Sequence, residues 1–400
     1  MKKSTIITIA AFALGIIILA AGFILLTDNN ISNQIFTTTT TTTTTTAPSG
    51  SGSEPKPDYQ PMDFFKEDVS KYITVGQYKG LEIEVDQIGV AQEVVDLQVN
   101  ILLVQEKEFT KVRDGKIGEK VIFSFDYTGY LTNEDGSLGE KFEGGASTDQ
   151  LAYIDGTNLV TISESGTGGF IDGFAQGIKG HKVGDTFKID ITFPENYSQP
   201  MAGKKTVFEI KINYIAQTNL TDGWVKEYSG GERATVAEFL EDIKSELNAS
   251  IEQQNNQLLW NELTKGATVI EIPQQQFDYI YNAFCEEVNY YVQMYAMYGM
   301  TYTFEEMLGM FGFKSTDELK EYAKDYIKSD LVVYAVMQAE GLEITDEEFE
   351  ALLGELIEST GKTREEVIEN YGGEESLKQT MLLDKVNKLV LKENTFVEKK

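Results

Sequence analysis

The sequence contains a single cysteine, Cys285, and a single histidine, His181, among its 400 residues. One cysteine excludes an internal disulfide and any cysteine-cluster metal site. One histidine excludes His-pair zinc motifs and leaves almost no room for a Ser-His-Asp triad, because that residue would have to be its base. Much of hydrolase and metalloenzyme chemistry is therefore excluded, and neither a metal nor another cofactor is expected.

Basic residues are also scarce, with 34 Lys and Arg against 64 Asp and Glu and a net charge of -30. Nucleic-acid binding needs a basic surface for phosphate, so a nucleic-acid partner is not expected. Residues 223–400 hold 35 acidic and 16 basic residues, so most of the acidity lies in the C-terminal part. Hydrophobic residues make up 41%, which is typical of a globular chain, and the length suits two or three domains.

The N-terminus carries a long uncharged run, residues 5–26, directly after Lys2 and Lys3. Its 22 residues are enough for a helix to cross a bilayer, which takes about 20. The two lysines mark the cytoplasmic end. The sequence therefore predicts a transmembrane anchor in residues 1–27 and a single-pass cell-membrane protein with the bulk of the chain outside the cytoplasm. A cleaved signal peptide is the alternative, although its apolar region is usually only ~7–15 residues.

Residues 28–60 are predicted to be a disordered linker. They contain ten consecutive threonines, Thr37–Thr46, followed by Ala, Pro, Ser and Gly residues. Such a stretch buries too little apolar surface to offset the entropy of ordering it. It is either an O-glycosylated stalk or an unmodified spacer.

Folded sequence is predicted from residue 61. In residues 61–115, a strand-like alternation at 81–85 precedes a helix-like stretch at 94–103. Residues 116–216 contain runs with period-two alternation bounded by Gly, Asn or Pro, which predict antiparallel strands with one buried face. These runs are Val121–Tyr127, Thr186–Ile191 and Val207–Ile212.

In residues 217–400 the spacing of apolar residues becomes that of helices, with apolar stripes that start at Val236 and Phe277. Five capping boxes, in which a hydroxyl and a Glu three residues later satisfy each other's amides, support an all-helical domain. They are Thr235 with Glu238, Thr303 with Glu306, Ser315 with Glu318, Thr345 with Glu348, and Thr363 with Glu366.

Several motifs in the β-rich part are distinctive in order and spacing. They are Asp126-Tyr127-Thr128-Gly129, Lys141-Phe142-Glu143-Gly144-Gly145, the glycine-rich string Gly169–Asp185, and Phe193-Pro194-Glu195-Asn196-Tyr197. This series resembles the FKBP-type peptidyl-prolyl isomerases, and among them the version carried by trigger factors. Tyr78–Val85, Val269–Pro273 and Gly341–Glu348 extend the resemblance to roughly residues 70–395.

The resemblance implies an α+β fold: an antiparallel β-sheet FKBP-type domain with a short helix in 116–216, then an all-α helical arm with a chaperone role in 217–400. Residues 61–115 lead into the isomerase domain. The implied partners are unfolded or nascent exported polypeptides with X-Pro bonds. The region that docks trigger factors on the ribosome is replaced here by the apolar run and the linker, so ribosome binding is not expected.

The resemblance also implies pocket residues. Tyr127 matches the aromatic residue on the first core strand, and Phe142 and Phe208 match pocket walls. Phe174 takes the place of a floor tryptophan, and Phe170 and Ile171 match the apolar pair at the mouth. The amide of Ile171 would hold the substrate carbonyl, and the Tyr197 phenol would donate to the substrate. Glu143 stands where small FKBPs carry an aspartate, whereas Leu151 stands where an aromatic residue is usual.

Isomerisation of an X-Pro bond needs no proton transfer or nucleophile, so the scarcity of histidine is no obstacle. The barrier of ~18–20 kcal/mol comes from amide resonance. An apolar pocket that strips water from the imide favours the twisted state, which has less charge separation. The expected function is a membrane-anchored, extracytoplasmic isomerase and chaperone. A holdase with an inactive isomerase domain is the alternative, and a surface stalk or adhesion module is a third class.

A second unusual segment, residues 290–313, holds five of the ten methionines among many aromatic residues. A helix with apolar side chains nearly all round is either a buried core helix or a surface for client chains. Flexible methionine-rich faces can adapt to many partners.

Overall fold

The computed structural model of the protein describes residues 59–133, 135–164 and 166–399. The predicted transmembrane anchor in residues 1–27 and nearly all of the predicted linker lie outside these ranges. None of the helices within them combines the length and apolarity that a membrane span requires.

The described residues form two compact units. The first comprises residues 89–250, and the second comprises residues 59–88 together with 251–399. Residues of the predicted segment 61–115 therefore contribute to both units.

The first unit is built on a seven-stranded antiparallel sheet with the strand order β3-β9-β4-β5-β6-β7, in which β8 also pairs with β9. Antiparallel pairing was expected from the period-two alternation and is confirmed. The strands are β3 (Phe109–Val112), β4 (Phe123–Thr132), β5 (Leu138–Asp155), β6 (Asn158–Ser163), β7 (Gly166–Gly169), β8 (Thr186–Thr192) and β9 (Lys205–Thr218).

Each face of this sheet is covered by a helix. The five-residue α2 (Phe174–Ile178) packs against the face that carries Phe123, Phe125 and Phe208. Helix α1 (Gln92–Gln105) packs against the other face. The opposite side of α1 is also buried, against α3 (Asp222–Tyr228) and the first half of α4 (Val236–Gly266). Burial on both sides explains why the helix is apolar nearly all round.

The second unit is mainly helical. Its helices are α5 (Gln274–Met297), α6 (Phe304–Met310), α7 (Thr316–Ala339), α8 (Asp346–Thr360), α9 (Arg364–Asn370) and α10 (Glu374–Glu393). The main core lies around α7, whose buried residues include Ile327, Leu331 and Val336. Residues 59–88 belong to the same core through Phe64, Val69 and Val85.

Two short sheets hold residues 59–88 in the second unit. Strand β1 (Ile73–Thr74) pairs antiparallel with β10 (Thr268–Val269), and β2 (Glu82–Val85) pairs parallel with β11 (Thr395–Glu398). Beside the parallel pair, the buried Asn394 accepts from the Leu81 amide at 2.8 Å and donates to the carbonyl of Tyr78 at 2.9 Å. The segment is therefore joined to the end of α10 by both backbone and side-chain bonds.

Candidate functional site

Strand β4 points a row of rings towards α2. Phe123 and Phe125 are fully buried, and Tyr127, two residues further on, is half-buried. Alternation along the strand places all three side chains on one face. Tyr127 therefore lies where the buried core of the sheet reaches the surface.

Phe174 and Phe208 form the floor beneath Tyr127. Both are fully buried, and their ring centroids are 4.7 Å apart. Phe170 packs on Phe174 at 4.5 Å and meets Tyr127 edge-on at 5.1 Å. These distances fall in the ~4.5–7 Å range that aromatic pairs prefer, so the rings form one contiguous cluster.

The position of Phe174 depends on two glycines of α2. Gly173 precedes the helix with φ +101°, and a Cβ there would lie 2.7 Å from Ile191 Cδ1. A Cβ on Gly177 would lie 2.5 Å from Ile189 Cγ2. Only glycine lets the helix approach β8 so closely. The glycines of this motif thus fix the floor ring.

Phe142 is held between two further glycines. A Cβ on Gly129 would lie 2.6 Å from the Phe208 ring and 2.7 Å from the Phe142 ring. A Cβ on Gly145 would again meet the Phe142 ring at 2.6 Å. Since real Cβ atoms are not found so close to other heavy atoms, both strands must carry glycine where the Phe142 ring lies across them.

The remaining predicted residues lie around this cluster. The half-buried Ile171 packs against it, and its backbone amide has no protein acceptor among the described residues. Tyr197 is 41% exposed, and its ring packs edge-on against Phe193 at 4.8 Å. Phe193 in turn contacts Phe142 at 5.9 Å, so Tyr197 is linked to the cluster through Phe193.

Glu143 differs from the other predicted residues. It is exposed, and it follows Phe142 on β5, where neighbouring side chains point to opposite faces. Of the eight predicted residues, the structure therefore brings six into the ring cluster and connects Tyr197 to it, while Glu143 lies outside. Their roles in binding and rotating a proline remain predictions.

Leu151 lies on the other face of the sheet. It packs near Tyr153 and Tyr214 and lines a cleft of about 430 Å³ that also includes Phe109. The cleft contains none of the eight predicted site residues.

The site is apolar, and its one half-buried hydroxyl, that of Tyr127, is held neutral. Burial raises the pKa of Tyr127 above its usual value of 10. Its phenol therefore stays protonated at neutral pH. Across the described residues there is no group of three His, Cys, Asp or Glu side chains placed to hold a metal ion.

Three residues of this region were missed among the predicted site residues. Phe125 supports both Tyr127 and Phe170 at 5.7 Å, Phe193 joins Tyr197 to the rings, and Met201 packs against the cluster from the loop before β9. Phe125 lies in the alternating run Val121–Tyr127, and Phe193 is the first residue of the Phe-Pro-Glu-Asn-Tyr motif. Strand alternation and this motif could therefore have identified them. No local signal singled out Met201.

A second apolar surface lies in the second unit, in the methionine- and tyrosine-rich segment. One side packs around Val288, Met307, Leu308 and Leu319. Five other side chains of the segment are exposed and are together called here the Met-Tyr patch: Tyr290, Met297, Tyr298, Met300 and Met310. These are five of the twelve large hydrophobic side chains exposed among the described residues, so exposed apolar surface is concentrated here. Neither sequence interpretation was complete, because the segment is part core and part surface.

Comparison with known proteins gives two family matches. Residues 113–213 match the FKBP-type peptidyl-prolyl cis-trans isomerase family. Residues 235–392 match the C-terminus of the bacterial trigger factor protein. The first range contains every residue of the ring cluster, and the second contains the Met-Tyr patch.

Whole-chain relatives agree with these matches. A trigger factor of Halothermothrix orenii is 29% identical over 338 residues, 82% of this chain and 74% of the relative. A trigger factor of Bacillus subtilis is 29% identical over 324 residues, 79% of this chain and 72% of the relative. A solved structure of the trigger factor chaperone is 19% identical, covers 80% of this chain and 72% of its own, and superposes with a TM-score of 0.30. The chain is therefore similar to trigger factors along most of its length, with an FKBP-type match at residues 113–213 followed by a trigger factor C-terminal match at residues 235–392.

Proposed function

We propose that the protein is a membrane-anchored, extracytoplasmic peptidyl-prolyl isomerase and chaperone that assists the folding of exported polypeptides. The observation that carries the isomerase part is the ring cluster, in which half-buried Tyr127, Phe142, Phe170 and Ile171 surround the buried floor of Phe174 and Phe208. Such a surface presents the half-buried rings to a bound side chain, while the buried rings of Phe174 and Phe208 hold them in place.

The chemistry follows from this composition. A proline ring placed against the half-buried rings of Tyr127 and Phe170 loses water from its imide, and the less charge-separated twisted state is penalised less than the planar one. The Ile171 amide is available to hold the substrate carbonyl, and the phenols of Tyr127 and Tyr197 can each donate a hydrogen bond to the substrate. Interactions that strengthen as the bond rotates lower the barrier, which amide resonance sets at ~18–20 kcal/mol.

The test is a protease-coupled assay with a short X-Pro peptide and the full chain in detergent. Tyr127→Ala should remove most of the acceleration, because it removes a ring above the floor without opening the deep core. Phe109→Ala is the matched control, since Phe109 is a half-buried ring on the opposite face of the same sheet. No acceleration by the unmodified chain, or equal loss in both variants, would remove the isomerase part.

The chaperone part is supported by the Met-Tyr patch. Methionine side chains are flexible and polarisable, so an exposed group of them can fit apolar segments of different shape. Suppression of aggregation of an unfolded client should survive Tyr127→Ala but fall when patch residues become polar. If the full chain suppresses aggregation without accelerating isomerisation, the alternative of a holdase with an inactive isomerase domain is favoured.

The proposed location, anchored in the membrane with the folded part outside the cytoplasm, rests on the sequence of residues 1–60. Uncharged residues 5–26 follow two lysines and precede a threonine-rich spacer, which suits an anchor with the folded part held outside. The chain should remain in the membrane fraction after alkaline washing, and external protease should cut it in intact spheroplasts. Release of the chain lacking residues 1–27, with retention of the full chain, would support the anchor. Retention of both, or release of both, would contradict it.

We also propose that the chain does not bind ribosomes, because an apolar run and a threonine-rich linker precede its folded part. Co-sedimentation with ribosomes at low salt tests this point. Stoichiometric binding would overturn it.

A further inference from the structure

The sulfur atoms of the chain are distributed unevenly between surface and core. Nine of its ten methionines are described, and the three exposed ones all belong to the Met-Tyr patch. Met297 is 80% exposed, Met310 59% and Met300 40%. Met307, Met337 and Met381 are buried instead. Among the described residues, all exposed methionines therefore fall within residues 297–310.

The single cysteine is less accessible to an oxidant than these three methionines. Cys285 is half-buried beside Tyr281 in the cluster packed around Val288 and Met307, and burial raises the pKa of its thiol. The thiolate is the reactive form of cysteine, and it is disfavoured here.

We propose that Met297, Met300 and Met310 are sites of reversible oxidation by peroxides or hypohalous acids, and that this modification turns the Met-Tyr patch from an apolar to a polar surface. With hydrogen peroxide, the thioether sulfur attacks one peroxide oxygen, a sulfur–oxygen bond forms and the oxygen–oxygen bond breaks. The oxygen now bound to sulfur loses its proton, and the departing hydroxide takes up a proton and leaves as water. Sulfur loses two electrons, peroxide gains them, and the product is the polar sulfoxide.

The surroundings of the three methionines favour oxidation of the exposed residues over oxidation of the packed core. Hydrogen peroxide is uncharged, so the acidic chain does not repel it. Met307, on the same helix α6 as Met310, is only 2% exposed and holds the packed side of the segment together with Leu308. Because oxidation is limited by access, the supporting core stays reduced while the surface changes. The consequence for client binding rests on the proposed function, in which this patch binds apolar segments.

The first experiment maps oxidation in the full chain in detergent, treated with graded hydrogen peroxide and digested for mass spectrometry. Met297, Met300 and Met310 should gain one oxygen at least about tenfold faster than Met307, Met337 and Met381. Binding of a dye specific for apolar surface should fall in parallel, and methionine sulfoxide reductases should restore it. Equal rates at exposed and buried sites, or unchanged dye binding after oxidation of all three sites, would overturn the proposal.

Leucine variants provide the second experiment. The triple change Met297→Leu, Met300→Leu and Met310→Leu keeps the surface apolar without an oxidisable atom, so dye binding should become insensitive to peroxide. The matched control is Met307→Leu, Met337→Leu and Met381→Leu, a roughly volume-conserving set that should leave the sensitivity intact. If the triple patch variant stays as sensitive as the unmodified chain, the sites are wrong.

Client binding is measured separately, so that failure of the proposed function is distinguishable. If the untreated chain does not suppress aggregation, the chaperone proposal fails, while the mapping and the dye still decide the oxidation proposal. If the untreated chain does suppress aggregation, peroxide should reduce that suppression in the unmodified chain but not in the triple patch variant.

Discussion

The two aromatic regions of the molecule differ in how much room surrounds their rings. In the first unit, Gly129 and Gly145 each lie so close to the Phe142 ring that a Cβ would collide with it. In the second unit, Gly299 and Gly309, near the Met-Tyr patch, have no atom within 4 Å of the position that a Cβ would take. The backbone therefore fixes the ring cluster, as a shaped site requires, whereas it leaves space around the Met-Tyr patch in which side chains can adapt.

The largest effect is expected when a single methyl group is added beside the Phe142 ring. Gly129→Ala should lower the free energy of unfolding of the first unit by about 1–3 kcal/mol, because the Phe142 and Phe208 rings must move. Isomerase activity should fall by about tenfold or more.

The matched change is Gly309→Ala, in helix α6. Alanine should stabilise this exposed helical position by about 0.5–1 kcal/mol and leave both activities intact. Denaturant unfolding with the peptide assay compares the two variants. Similar outcomes for both would remove the distinction between a fixed and an open surface.

The next effect separates the functions of the two regions. Met297→Gln with Tyr298→Gln should reduce suppression of client aggregation about threefold or more, since apolar contact area is lost, and leave isomerase activity unchanged. Leu258→Gln, at a leucine of the second unit that is 42% exposed outside the patch, should have little effect on either assay. Equal loss of suppression with Leu258→Gln would mean that the patch has no special part in binding.

A smaller effect concerns the dependence of the second unit on pH. Asp330 lies on α7 between Tyr326 and Tyr334, and burial raises the pKa of its carboxyl to about 7. The folded state therefore keeps a proton that the unfolded chain loses near pH 4, so stability falls as pH rises from about 4 to about 7. Part of the Asp330 surface reaches solvent, so we expect a loss of about 1–2 kcal/mol.

Urea unfolding at pH 5 and pH 8 measures this slope. Asp330→Asn should flatten it, whereas Asp325→Asn, at an exposed position of the same helix, should not. An unchanged slope in Asp330→Asn would show that the carboxyl does not titrate in this range.

The smallest effect is expected at the rim of the ring cluster. Tyr197→Phe should lower isomerase activity by about two- to tenfold through loss of one hydrogen-bond donor. Its stability should change by no more than about 0.5 kcal/mol, because the side chain is largely exposed. Tyr59→Phe, at a similarly exposed position of the second unit, serves as the control. Full activity in Tyr197→Phe would remove the phenol from the mechanism.

Local sequence signals predicted the helices and strands well, because their causes are local. Four of the five capping boxes form both reciprocal bonds, as at Thr345 and Glu348. At Ser315, the hydroxyl accepts from the Glu318 amide, but the Glu318 carboxylate accepts from the amide of Lys314 instead. A one-residue change of partner of this kind depends on backbone geometry that spacing alone does not encode.

Long-range features were not predictable from patterns. Nothing near Leu81 signals that β2 pairs with a strand at residues 395–398. Leu151 was matched by position, yet strand alternation places it on the face opposite the rings. In the segment 290–313, periodicity could not distinguish the packed from the exposed side, since both are rich in aromatic residues and methionine. Which side is covered is decided by α7, through residues such as Leu319 and Tyr322.

The pairing of β2 with β11 also affects the order in which the two units can fold while the chain is being made. The first unit is contiguous in sequence, so all of its residues are present once residue 250 has been translated. The second unit is not contiguous, because the Leu81 amide bonds to Asn394, 313 positions later. Strand β1 can pair with β10 once residue 269 has been made, but β2 must wait for nearly the whole chain before it finds β11. The second unit is therefore the last part of the newly made protein to close.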